Sequence, residues 1–111
     1  GGGKDNSKSI INNFTNSGTI HSNTGESIYF GNANISSFVN SGTIKSNQGA
    51  GVNISQGTSI ENFNNTGTIQ GFSAPIRSLG GTIETLINEG TMKGESIGIY
   101  MNGGLVKTLI N

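Results

Sequence analysis

The chain has 111 residues, and its six Lys or Arg, six Asp or Glu and one His give a formal net charge of zero at neutral pH. A neutral chain lacks the basic surface that binds nucleic acid or anionic lipid, so we expect no nucleic-acid partner. The absence of cysteine and the single His21 leave no disulfide scaffold and no His/Cys metal site, and no cofactor is predicted. No apolar run approaches the roughly 20 residues that cross a bilayer, so we expect no membrane insertion.

The chain begins with a short polar segment. Residues 1–9 carry Lys4, Asp5 and Lys8 among small polar residues, and the opening Gly-Gly-Gly is typical of a sequence added by cloning. We therefore expect residues 1–9 to be a cloning remnant with a frayed or partial first turn, and residues 10–111 to form a single β-solenoid unit. Because the chain has no initiating Met and its last repeat stops partway, we expect it to be a piece of a longer array, with the rest of that parent protein as a partner.

One phrase recurs along the rest of the chain. FVNSGTI at residues 38–44 returns as FTNSGTI at 14–20, FNNTGTI at 63–69 and LINEGTM at 86–92, and LIN at 109–111 begins a fifth copy. The glycines of this phrase are 24 residues apart from Gly18 to Gly42, 25 from Gly42 to Gly67 and 23 from Gly67 to Gly90. This period is typical of solenoids and arrays. It predicts repeats near 10–33, 34–58, 59–81 and 82–104, and an incomplete fifth from 105.

The residues within a repeat alternate with a period of two, and Gly and Asn/Ser clusters interrupt each run after a few residues, which favours short strands over helices. We predict an all-β, right-handed parallel β-helix with three short strands per coil and four to five coils. Ser78 breaks one apolar column, so we expect a one-residue shift or bulge there. The five predicted interior columns are Ile11, Ile35, Ile60, Ile83 and Val106; Phe14, Phe38, Phe63, Leu86 and Leu109; Ile20, Ile44, Ile69 and Met92; Ile28, Val52, Ile76 and Ile99; and Phe30, Ile54, Ser78 and Met101.

An asparagine occupies the same place in every repeat, and this column is the predicted structural ladder. Stacked amides pointing inward would hydrogen-bond from coil to coil. Alternatively, Asn would serve as a turn residue that bonds its own main chain, and the two roles are compatible. The glycine two residues later supports the turn interpretation, because Gly suits a positive φ or a close backbone approach. The column consists of Asn16, Asn40, Asn65, Asn88 and Asn111.

Two other columns are candidates for catalysis or for ice binding. Glu61 and Glu84 follow each other on adjacent repeats and could approach the ~5 Å separation of a retaining glycosidase pair. The next residue in that column is Lys107, so we expect an ion pair on a solvated face, no catalytic residue and no enzyme. A threonine column at residues 19, 43, 68 and 91 suggests ice binding. The long side chains beside it, His21, Lys45, Gln70 and Lys93, argue against a flat ice-binding face.

Two outward columns are candidates for surface contact. One contains Tyr29, Asn53, Arg77 and Tyr100, and the other contains Thr15, Val39, Asn64, Ile87 and Ile110, with Tyr29, Arg77, Tyr100, Val39 and Ile87 as the contact candidates.

The last strand would leave apolar residues on an open sheet edge. Since open edges template pairing with another chain, we also expect end-to-end self-association.

The recurring Phe-x-Asn-Ser-Gly-Thr-Ile phrase with its Asn-, Gly- and Ser-rich spacers, over residues 10–111, resembles the repeats of bacterial autotransporter passenger domains, the secreted parts of type V secretion proteins. Vacuolating-cytotoxin-like and adhesin-like members are the most similar in character. The resemblance implies a secreted or outer-membrane-associated location and a stalk that presents adhesive or toxin surfaces to a host-cell protein or glycan. A polysaccharide-acting β-helix enzyme and an ice-binding solenoid are the alternatives.

Overall fold

A computed structural model describes residues 8–95 and 99–111 of the chain, with the side chains of residues 100–102 left out. These residues form strands joined by short turns, and no helix among them is long and apolar enough to span a membrane. Of the predicted polar segment at residues 1–9, residues 1–7 lie outside the described part, and β1 already begins at Ser9. The strands are β1 Ser9–Asn16, β2 Thr19–Ser22, β3 Ile28–Phe30, β4 Ala33–Asn40, β5 Thr43–Ser46, β6 Val52–Ser55, β7 Ser59–Asn65, β8 Thr68–Gly71, β9 Ile76–Leu79, β10 Thr82–Asn88, β11 Thr91–Gly94, β12 Ile99–Asn102 and β13 Leu105–Ile110.

The strands form three parallel sheets that run along the axis of a solenoid. The first strand of each coil joins the sheet β1-β4-β7-β10-β13, the second joins β2-β5-β8-β11, and the third joins β3-β6-β9-β12. Every neighbouring pair is parallel, and each strand pairs with the equivalent strand of the next coil. The predicted parallel β-helix with three strands per coil is confirmed.

The register aligns the columns predicted from the sequence. Phe14 pairs with Phe38, and Phe38 with Phe63. The apolar members of the middle coils are almost completely buried, so the columns merge into one interior. The ring centroids of Phe38 and Phe63 are 4.2 Å apart and the planes differ by 19°, while Phe30 meets Phe38 edge-on at 6.0 Å. Stacked and edge-to-face rings add to the burial of apolar area.

The alternation of the long first strands is interrupted in their middle. Ile35 and Phe38 are three residues apart and both are buried, while Ser36 and Ser37 between them are more exposed. The alternation of period two therefore holds on each side of these two residues and fails across them. Ile60 and Phe63 repeat the arrangement one coil later.

The shift predicted at Ser78 is wrong. Ile54, Ser78 and Met101 are in direct register, with no residue inserted between the strands. Ser78 keeps the inward position because its turn satisfies the hydroxyl, which donates to the carbonyl of Gly81 at 3.0 Å and accepts from the Gly81 amide at 3.0 Å. A buried polar group with both partners avoids the cost of an unpaired one.

The glycines of the repeated phrase serve a close approach of backbones. A Cβ on Gly42 would lie 2.0 Å from the carbonyl oxygen of Gly18, and one on Gly67 would lie 2.1 Å from that of Gly42. Neither of these glycines has a positive φ among the described residues. The left-handed positions instead form a column at another corner, between the third strand and the next coil. They are Asn32, Gly57, Gly80 and Gly103.

The two end strands each have a neighbour on one side only among the described strands, since β1 pairs with β4 and β13 with β10. Ile10, Leu105, Leu109 and Ile110 are the exposed apolar residues on these strands.

End-to-end association of this 111-residue chain stays a prediction. Changing both Leu109 and Ile110 to Lys should lower the association measured by sedimentation over a concentration series, because charges oppose edge pairing. The double change Val39→Lys, Ile87→Lys on the side of the solenoid adds the same charge and should leave association as it is. A chain that stays monomeric at millimolar concentration contradicts the prediction.

The glycine column gives a second prediction. Gly67→Ala should lower the free energy of unfolding by about 1–3 kcal/mol, because the methyl group meets the backbone of the preceding coil, which cannot move aside as a side chain could. Gly18→Ala is the matched control, since a Cβ there has no atom within 4 Å. It should change stability by no more than about 0.5 kcal/mol.

Both substitutions restrict the unfolded chain in the same way, so their difference measures the contact between coils. Urea unfolding followed by circular dichroism gives both values. Equal losses in the two variants would show that the close approach does not limit this position.

Candidate functional site

The asparagine column forms a continuous ladder of side-chain amides. Asn16 Nδ2 donates to Asn40 Oδ1 at 2.9 Å, and Asn40 Nδ2 donates to Asn65 Oδ1 at 2.8 Å. Asn65 donates in the same way to Asn88 at 2.9 Å, and Asn88 to Asn111 at 3.0 Å. Every amide therefore points in the same direction along the solenoid, from the first coil toward the last.

The same amides also brace the turn that follows them. Asn40 Nδ2 lies 3.2 Å from the carbonyl oxygen of Gly42 and 3.1 Å from that of Thr68 on the next coil. Asn16 Oδ1 accepts from the Gly18 amide at 3.3 Å. Both interpretations of the column, ladder and turn device, describe part of this geometry. Asn40 and Asn65 are fully buried, and these bonds offset the cost of removing their amides from water.

The carboxylate column contains an ion pair on the surface. Glu84 Oε1 lies 3.3 Å from Lys107 Nζ, and both side chains are about half exposed. A pair this exposed contributes little to stability. Glu61 lies one coil before Glu84, since Ile60 pairs with Ile83 and Asn62 with Thr85. Within the described ranges, no three His, Cys, Asp or Glu residues are grouped closely enough to hold a metal ion.

The threonine column and the row beside it lie on the outer face of the second sheet. Thr19, Thr43, Thr68 and Thr91 are in register. The neighbouring row is His21, Lys45, Gln70 and Lys93, also in register. The side chains that border the threonines on this face therefore differ from one another in length and charge.

The two columns proposed for surface contact differ in exposure. Tyr29 and Arg77 are exposed, whereas Asn53, which is in register with both of them, is buried. Its Nδ2 donates to Glu26 Oε1 at 3.3 Å, in the turn before β3. The side chain of Tyr100 lies outside the described residues.

The other contact column is partly covered. Val39 and Ile87 are half-buried on the outer face of the first sheet. Val39 pairs with Asn64, and Asn64 with Ile87. The polar Asn64 therefore separates the two apolar residues, and they do not form one continuous apolar patch.

Sequence reasoning missed a polar groove at the corner that follows the second sheet. The groove has a volume of about 190 Å³, and we call it the corner groove. Phe72 lies there with 48% of its surface exposed. In the sequence it follows Gly67 by five residues, as Asn47 follows Gly42 and Asn23 follows Gly18. The signal in the sequence is that a phenylalanine replaces the asparagine of the Asn23 and Asn47 positions. The residues that line the groove are Lys45, Ser46, Asn47, Gln70, Gly71, Phe72 and Glu95.

Comparison with protein-family models, with curated proteins and with solved structures finds no match to this chain.

The ladder gives a testable prediction about stability. Asn65→Asp should cost at least about 2 kcal/mol at neutral pH, because a carboxylate still accepts from Asn40 but cannot donate to Asn88 or to the carbonyl oxygens of Gly67 and Thr91. Burial and the facing oxygens should raise the pKa of the new carboxyl above its unfolded value of about 3.9. The folded state then holds the proton more tightly than the unfolded state. The variant therefore loses stability relative to the original chain as pH rises from the unfolded pKa to the raised folded pKa.

Urea unfolding at neutral pH and at a pH of about 3 measures this dependence. Asn64→Asp, the neighbouring change on the outer face, is the control and should show little loss at either pH. A loss for Asn65→Asp that is the same at both pH values, or the same as that of the control, would contradict the ladder's role in stability.

Proposed function

We propose that this chain is a segment of a structural stalk in the passenger of a secreted or surface-exposed bacterial autotransporter, and that it positions adhesive or toxin surfaces toward a host cell. The observation that carries the proposal is the equivalence of the coils. Each coil offers the next the same apolar, glycine and asparagine columns in register. Such a solenoid extends by adding coils, and its length can vary without a new interior.

The geometry suits a spacer. The chain measures 41 Å along its longest axis and 28 and 27 Å across. Strand pairing between coils satisfies the backbone, and the columns fill the interior, so the contacts that hold the rod together run along its axis. A stalk needs this property, since it must keep a fixed distance between two attachments under load.

The fold also suits secretion through a membrane. A solenoid coil contacts only its neighbours, so folding can begin at one end and proceed coil by coil. A chain that emerges gradually from a membrane can therefore fold as it appears. The absence of cysteine means that no step of this folding waits for a disulfide to form.

The proposal is tested by placing the chain between a secretion signal with an epitope tag and an autotransporter translocator barrel in a Gram-negative host. We expect the tag on the cell surface, followed by a protease-resistant fragment of about the chain's own mass of 11.4 kDa. Phe63→Asp is the folding control, because a charge in the fully buried ring stack should abolish protection. Thr15→Asp, on the outer face, should keep it.

Retention of the tag inside the cell, or complete digestion of the unchanged chain at the surface, contradicts a passenger stalk. Equal protection of the Phe63→Asp variant would show that the resistant fragment is not the solenoid described above.

A further inference from the structure

We propose that the corner groove binds one neutral sugar ring of a glycan, with the face of Phe72 as its stacking surface. The groove lies where β5 and β8 end, at the edge of the second sheet. No residue of this groove belongs to the ladder or to the columns considered for surface contact.

The backbone of Phe72 is held by hydrogen bonds to two other coils. The Phe72 amide donates to the carbonyl of Gly49 at 2.8 Å, and the Phe72 carbonyl accepts from the Glu95 amide at 3.1 Å. The chain is thus fixed on both sides of this residue, one coil before and one coil after. A ring presented from a fixed backbone loses little conformational freedom on binding.

This ring differs from the interior phenylalanines in its exposure. Phe14, Phe38 and Phe63 stack in the interior, whereas about half of the surface of Phe72 faces solvent beside polar side chains. A single exposed aromatic residue needs no explanation by itself. Its position in a concave polar site supplies the second observation.

The polar groups around the ring have unused hydrogen-bonding capacity. Among the described residues, the side chains of Lys45, Gln70 and Glu95 form no hydrogen bond or ion pair. Asn47 Nδ2 donates to Asn23 Oδ1 at 2.9 Å, which leaves Asn47 Oδ1 as an acceptor. The groove thus offers donors from Lys45 and Gln70 and acceptors from Gln70, Asn47 and Glu95.

This set of groups favours a sugar over other small ligands. A pyranose has an apolar face of C–H groups, which suits an aromatic ring, and hydroxyl groups around its edge, each of which donates and accepts. One cation and one anion in the same groove favour neither a phosphate nor a fatty acid. A purely apolar ligand would leave the ammonium, amide and carboxylate without water or partners, which is unfavourable.

The volume of about 190 Å³ is small for a ligand site and suits one ring. We therefore expect a dissociation constant on the order of 1 mM for a monosaccharide, with tighter binding to a surface that carries many copies. The inference rests on the proposed function only for the source of the ligand, a glycan on a cell surface. Binding of a free sugar tests the groove alone, so a failed secretion experiment and an empty groove are distinguishable.

The experiment is an NMR titration of the whole isotope-labelled chain with the methyl glycosides of galactose, glucose and N-acetylglucosamine, and with methyl glucuronide as a charged probe. At least one neutral glycoside should shift the backbone amides of Asn47, Gly71 and Phe72 at millimolar concentration. No shift with any neutral glycoside would overturn the proposal, and so would shifts away from the groove. Binding of the glucuronide alone would overturn the assignment of a neutral ring.

The variant Phe72→Ala should weaken binding at least tenfold, and Phe72→Tyr should preserve it because the aromatic face remains. Ile10→Ala is the control, since Ile10 is an exposed apolar residue on a different sheet and lies outside the groove. It should bind as the original chain does. Circular dichroism melting of each variant checks the fold. Unchanged binding in a folded Phe72→Ala variant, or equal weakening in Ile10→Ala, would contradict the stacking role.

Discussion

The contact between one coil and the next is the interaction on which the rest of this structure depends. A single coil offers about five inward apolar side chains, and their burial cannot offset the ordering of some two dozen residues. Strand pairing at about 4.8 Å places each residue directly over its equivalent in the neighbouring coil. The sequence must therefore contain residue types that are compatible with copies of themselves, and the repeated phrase meets this requirement.

The columns of the repeat place like residues over one another by different physical means. Phe38 and Phe63 stack as rings. The glycines allow carbonyl oxygens of the preceding coil to approach where a Cβ would clash. The asparagines are the only members of the phrase that both donate to and accept from their own kind, so one residue type satisfies itself in a buried chain of hydrogen bonds. Apolar contact, close approach and amide bonding thus act along the same axis.

The interior and the register follow from the sequence because stacking repeats one local pattern, and a period of about 24 residues fixes which positions meet. The differences occur where a residue departs from its column. Ser78 stays in register because its own turn satisfies it, and Asn53 is buried and bonded to Glu26 although it is in register with the exposed Tyr29 and Arg77. Phe72 escaped sequence reasoning because a lone phenylalanine is expected in the core. Its exposure depends on how the corner after β8 is built, and at that corner the repeat shows only that a phenylalanine stands where other repeats have Asn23 and Asn47.

The hydrogen exchange of the asparagine side-chain amides, followed by NMR, measures how firmly the contacts between coils hold the solenoid together. We expect the slowest exchange at Asn40 and Asn65, which are bonded to coils on both sides, and fast exchange at the exposed Asn12 and Asn34. Asn111, which has one ladder neighbour among the described residues, should exchange faster than Asn65. Exchange at Asn40 and Asn65 as fast as at Asn12 would contradict this expectation.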